Sequence, residues 1–304
     1  MLGEVFYWLF NMSIVAAICG LPVLLLRRIK GIPRRFAVLF WIIPFIRLCV
    51  PVGLGSRYGL MALLSKYGTR TVTVYESKSE LSFTMHNSIQ SASSYFPIEY
   101  KTYTLKAFFE GAAFIWITVA LAALFAFFII YRITAREMSD ARKLDGNVYI
   151  SDKIRTPAVY GIIKPRIILP KRYKKSDLDC ILMHERAHIR RGDNIIRTAA
   201  LAVVCLHWFN PFAWLFLKLL YSDIELACDE AVIAKCNEAE RKRYAHALVS
   251  SVEMTNVFAS SFGGAKIKLR IKNILSYRRI TWISSVGFAT LIIIIAYILL
   301  TNAL

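Results

Sequence analysis

Four stretches of apolar residues, Val5 to Leu26, Phe36 to Leu54, Phe108 to Tyr131 and Trp282 to Leu300, constrain this chain more than any other feature it has. At about 1.5 Å of rise per residue, each is long enough as a helix to cross a hydrocarbon core of roughly 30 Å. They bring the 304-residue chain to 57% hydrophobic, too apolar for a water-soluble enzyme, so a mainly α-helical polytopic membrane protein is expected. The second stretch fits least well: it contains Pro44, Pro51 and Arg47, and the arginine has to face the bundle or snorkel. The first is not a cleavable signal, because Glu4 stands where basic residues belong and the apolar run continues past Cys19, itself no convincing lipidation site. Six cysteines without paired spacing read as reduced thiols.

Orientation follows from the basic residues. The loop Arg27 to Arg35 carries five positive charges and no acid, which places it in the cytoplasm and the N-terminus outside. The expected organisation is three spans over 1–131 with an extracytoplasmic segment at about 55–107, a cytosolic domain over 132–281, and a fourth span with a short tail over 282–304. The 55–107 segment is polar and carries no motif that can be interpreted. A net charge of +19 is read as contact with anionic lipid headgroups of the bilayer, not as direct nucleic-acid binding, although it also suits an acidic protein substrate.

In the cytosolic part lies Met183-His184-Glu185-Arg186-Ala187-His188-Ile189, an H-E-x-x-H pattern. Positions i and i+4 share one helix face, so both imidazoles can reach one zinc ion. Glu185 stands where it can take a proton from water that zinc has made acidic. Ser176 with Asp179 three positions on forms a weak capping box, so the motif is expected one to two turns inside a helix that stops at Gly192. Asp193 either caps the following helix or steadies a ligand; the cap is the favoured reading.

A catalytic zinc ion takes a third protein ligand and keeps one position open. Glu225 and Asp229, one turn apart on a helix, suit a ligand and a carboxylate that fixes a ligating histidine. His207 reads as a packing residue and Asp223 and Glu230 as solvated. Cys180, Cys228 and Cys236 lack C-x-x-C spacing and read as core thiols.

H-E-x-x-H followed 41 positions later by E-x-x-x-D resembles the BlaR1/MecR1-type membrane metallopeptidases, the M56 family. The similarity extends to Thr156-Pro157-Ala158-Val159-Tyr160-Gly161, to Lys164 through Pro170, and to His207-Trp208-Phe209-Asn210-Pro211-Phe212-Ala213-Trp214. The resemblance implies a zincin-like α+β metallopeptidase domain of antirepressor, signal-transducing type, with His184, His188 and Glu225 as zinc ligands, Glu185 as general base and Asp229 behind them. It implies as substrate a transcriptional repressor or a membrane protein. A homodimer is compatible with it but not derivable. The resembled receptors continue into a penicillin-binding sensor domain, whereas this sequence stops four residues past its last apolar stretch, so β-lactam recognition is not assigned; alternatively, the sequence is part of a longer chain.

Three further expectations concern the surroundings of the motif. Asn147 to Ile150 and the Val159 to Leu169 segment read as short strands whose edge either docks an extended substrate or is scaffold. Ile195 to Leu220 reads as two short helices joined at Asn210-Pro211, because zinc binding requires the chain to return to the side of His188. The small-residue stretch Ala259 to Gly264 reads as a linker or as a site of regulatory self-cleavage at Ser261-Phe262. The rival function is a non-catalytic membrane signalling scaffold that keeps the fold; a transporter ranks behind it, for want of polar residues recurring in the spans.

Overall fold

The computed structural model describes residues 2–29, 31–51, 53–68, 103–154, 156–171, 175–253, 267–277 and 281–302. Among the described residues three helices are long and apolar enough to cross a membrane: α1 (Leu2–Leu26), the Ala107–Ser139 part of a long helix α5 (Tyr103–Ser139), and α10 (Trp282–Leu300). The second expected span, Phe36 to Leu54, differs. It forms two short helices, α2 (Arg34–Phe40) and α3 (Ile42–Cys49), broken at Trp41. Pro44 explains the break, since it has no N–H for the carbonyl of Phe40 and its ring crowds that oxygen. Pro51 ends α3 by forcing Val50 into extended backbone (φ −116°, ψ 111°). A further helix, α4 (Leu60–Gly68), follows.

Arg47 of α3 faces the bundle. Its guanidinium donates to the carbonyls of Leu299 (3.1 Å) and Thr301 (2.9 Å) and to Asn302 Oδ1 (2.8 Å), satisfying acceptors that the end of α10 leaves open.

After α5 comes a four-stranded sheet of β1 (Arg142–Asp145), β2 (Val148–Ser151), β3 (Ala158–Tyr160) and β4 (Arg166–Pro170), in the order β1-β2-β4-β3. The β2–β4 pair is parallel and the other two are antiparallel. The expected Val159 to Leu169 segment is thus two strands, with the chain reversing at Gly161, whose φ of +98° favours glycine. Val148, Ile167 and Leu169 bury one sheet face against Ile181 of α6 (Lys175–Arg191), the helix that carries the H-E-x-x-H pattern. Helix α6 starts ahead of Ser176, so that residue lies in the first turn and not at the cap.

Helices α7 (Asp193–Leu206) and α8 (Pro211–Ile233) form the expected hairpin. Asn210 caps α8 by accepting from the Phe212 N–H, with Pro211 in the first turn. The hairpin tip reaches the middle of the spans. His207 Nε2 donates to the Leu48 carbonyl (2.8 Å), which leaves Nδ1 to accept from the Ser13 hydroxyl (2.6 Å), while Asn210 Nδ2 donates to the Ser13 carbonyl. Trp116 of α5 donates to the Leu206 carbonyl. From this tip α8 returns and brings Glu225 back to the level of α6.

The returning half of α8 is locked to the basic loop. Asp223, fully buried, accepts from Arg27 (3.0 and 2.9 Å) and from the Trp41 indole (2.8 Å); Glu230 accepts from the backbone N–H groups of Arg34 and Arg35. The expectation that these two acids are solvated is therefore corrected: they face a neighbouring loop that sequence periodicity does not reveal. Helix α9 (Glu238–Glu253) and the helical residues 267–275 complete the inner part.

Candidate metal centre

The i, i+4 spacing on α6 places His184 Nε2 and His188 Nε2 3.1 Å apart. Glu225 reaches both from α8, with Oε2 3.5 Å from His184 Nε2 and Oε1 3.6 Å from His188 Nε2. Asp229, one turn on and buried, lies behind His184: its Oδ1 accepts from the Tyr244 hydroxyl (2.7 Å), whose oxygen lies 2.7 Å from His184 Nδ1. The structure thus gathers His184, His188, Glu225 and Asp229 in one place. Glu185 lines the same cavity, of about 380 Å³, and is itself buried.

Asp193 does not cap α7. Gly192, in the left-handed region at φ 67°, occupies the cap position, and Asp193 is buried with Oδ2 2.7 Å from His188 Nδ1. The alternative role, steadying an imidazole, is the one the structure shows, because the glycine turn folds the next carboxylate back onto α6.

Four residues near the pair were not singled out by sequence. Cys228, read as a core thiol, is fully buried and groups with His184 and His188, their donor atoms all within 4.8 Å of one another. Its spacing from Glu225, i and i+3, was the available signal. Arg197 of α7 donates to Glu225 Oε1 (2.5 Å). Arg270 forks onto Asp229 with two bonds of 2.7 Å and also stands 3.3 Å from Glu225 Oε2 and from His184 Nε2. Tyr244 and Arg270 are 60 and 86 positions from His184, beyond any periodicity. Ser261 and Phe262 lie outside the described residues.

Charges in this cluster are strongly coupled. Burial disfavours a charged imidazole at His188, yet the bond to Asp193 and the neighbouring Cys228 together outweigh it and raise the ring to about 9. Burial likewise opposes charge on Glu225, but the bond to His184 and the nearby Arg270 hold its carboxyl well below the usual range.

The donor set fits a divalent metal ion. Each Nδ1 is committed to a partner, Asp193 or the Tyr244 hydroxyl, so the two Nε2 atoms converge with their lone pairs toward each other, an arrangement a cation relieves. Among the described residues His184, His188 and Cys228 form a close group of donors, and Glu225 reaches the same two nitrogens. Glu225 lines the cavity and Cys228 does not.

Beside the pair runs β3, the half-buried edge strand of the sheet. Ala158 and Val159 of β3 line the cavity, and Asn194 Nδ2 ties the carbonyls of Val159 (3.3 Å) and Gly161 (3.2 Å) to the start of α7.

Three apolar helices of membrane-crossing length, a helical hairpin packed against them and a small sheet on a histidine-bearing helix define a polytopic membrane protein with an α+β unit of metallopeptidase type. The chain belongs to the BlaR1 peptidase M56 family, whose model matches residues 7–283. It is 29% identical over 140 residues to regulatory protein BlaR1 of Bacillus licheniformis, a match covering 42% of this chain and 23% of that protein. It is 28% identical over 138 residues to the methicillin resistance mecR1 protein of Staphylococcus aureus (strain Mu50 / ATCC 700699), covering 42% and 24% respectively. The chain therefore matches about a quarter of the length of these curated relatives.

Proposed function

We propose that this protein is a membrane-embedded zinc metallopeptidase of signal-transducing type, with its catalytic part on the cytosolic side. The observation that carries the reading is the convergence of His184 Nε2, His188 Nε2 and a Glu225 carboxylate within 3.1–3.6 Å on a cavity that Glu185 also lines. His184, His188 and Glu225 would hold the zinc ion; Asp193 orients His188, and Asp229 with Tyr244 orients His184. When bound, zinc would supply Lewis acidity to a scissile carbonyl and to water. Glu185 takes the proton from the attacking water and delivers it to the leaving amine. The β3 edge holds an extended peptide beside the pair by strand addition, with Asn194 fixing the distance between edge and α7.

Cytosolic placement is supported by the contact of Arg27 with Asp223, two residues from Glu225, which sets the candidate centre level with the basic loop. The substrate class follows from the regulatory names of the relatives: a transcriptional repressor, or a membrane protein. Self-cleavage at Ser261-Phe262 is supported by Arg270, eight residues further on, which lines the cavity.

The experiment is Glu185→Gln in the detergent-purified full chain. Zinc content stays at that of the wild type while proteolysis falls by about three orders of magnitude or more. Retained proteolysis in that variant would sink the reading. A second reading, the non-catalytic scaffold, draws on Arg270, whose guanidinium already lies against His184 and Glu225. It requires that the wild type take up no zinc.

A further inference from the structure

The metal-peptidase reading leaves Cys228 without a task, although it is one of the best placed donors in the molecule. It follows Glu225 by three residues on α8, so both face α6. Its sulfur donates to the His184 carbonyl at 3.3 Å and lies within 4.8 Å of a ring nitrogen of each of His184 and His188. Zn–N bonds of about 2.0–2.1 Å and Zn–S bonds of about 2.3 Å put tetrahedral donors roughly 3.3–3.7 Å apart, so a side-chain adjustment of about 1 Å suffices. Cys228 is fully buried and absent from the cavity wall, whereas Glu225 is on it. The two residues therefore approach the histidine pair from different sides, and neither blocks the other.

Resting on the reading above, we infer that Cys228 is a fourth protein donor to the same ion, so that two histidines, one glutamate and one cysteine make up the resting centre. Ligation breaks the S–H bond: the proton leaves to solvent through the cavity, the sulfur lone pair forms the bond to the ion, and the contact to the His184 carbonyl is given up. No electron transfer is involved. Four protein donors complete a tetrahedral site, which is the closed arrangement of structural zinc centres; catalytic centres keep a position for water. Peptide cleavage then requires the Cys228 sulfur to leave the ion, take a proton back from solvent and, as a thiol, donate again to the His184 carbonyl, the position in which the structure shows it. The centre thereby has a closed and an open form that differ in one side chain, and a soft thiolate in the set favours zinc, cadmium or cobalt over magnesium or calcium.

The test is cobalt substitution of the full chain in detergent, with metal content and the near-ultraviolet sulfur-to-cobalt charge-transfer band read together. One cobalt per chain with the band present in the wild type and in Cys180→Ser, and lost in Cys228→Ser and Cys228→Ala, is the expected result. X-ray absorption of the zinc-loaded wild type gives the same answer without a variant, as a sulfur neighbour at about 2.3 Å. Stoichiometric cobalt with no band, or a band that survives both Cys228 substitutions, overturns the inference and leaves the metal reading standing. A wild type that binds no cobalt overturns both.

Discussion

Asp193 Oδ2 stands 2.7 Å from His188 Nδ1, and the carboxylate comes from the first turn of the next helix across a left-handed glycine. It accepts the Nδ1 proton and so directs the Nε2 lone pair of His188 at His184 and Glu225. Asp193→Asn keeps the shape but removes the charge; zinc affinity is expected to fall about 10–100-fold, read by competition against a chromogenic chelator. An unchanged affinity would mean that Asp193 serves only to place Arg191, whose Nε lies 3.1 Å from it.

The same pair sets a pH dependence. In the metal-free protein His188 titrates near 9, above its ordinary 6.5, so its protonation contributes stability that is whole below about 6.5 and is lost as pH rises through about 9. Zinc binds the neutral ring, so the opposite sign holds for uptake: affinity climbs with pH and levels off above about 9. Calorimetry in buffers of different ionisation enthalpy should show proton release on zinc binding that shrinks across this window.

Removing Asp223 leaves Arg27, only 18% exposed, without its carboxylate. Asp223→Ala should cost about 3–5 kcal/mol, the cost of an uncompensated charge in a largely buried pair, seen as a lower melting temperature in detergent. A loss under about 1 kcal/mol would show that water reaches the arginine.

Gly20 is the point where α1 admits Phe216 of α8: a Cβ there would lie 2.0 Å from Phe216 Cζ. Gly20→Ala should therefore destabilise by about 1–3 kcal/mol through overpacking. Gly111→Ala, where a Cβ meets nothing within 4 Å, is the matched control and should show no loss.

Local patterns in the sequence were readable because they depend on neighbours in the chain. The His184/His188 spacing, the Gly192 stop and the Asn210-Pro211 reversal each follow from one turn of backbone. The 36–54 stretch reads as the least regular span because of Pro44 and Pro51, but that a break falls at Trp41 and leaves two short helices depends on packing that an apolar count does not carry. Asp223 and Glu230 look solvated on a helical wheel because their partners, Arg27, Arg34 and Arg35, lie almost 200 positions away. Tyr244 and Arg270 escaped for the same reason. Cys228 was set aside on a spacing rule for thiolate pairs, a rule that says nothing about one cysteine joining two histidines.

Helix α1 holds α8 at two points, through the Ser13 carbonyl at Asn210, which caps α8, and through Arg27, just past the C-terminus of α1, at Asp223 in the middle of α8. The two helices are thereby yoked like the rails of a ladder. Asp223 stands two residues before Glu225, so where α1 sits along α8 helps to fix where the Glu225 carboxylate meets the histidine pair.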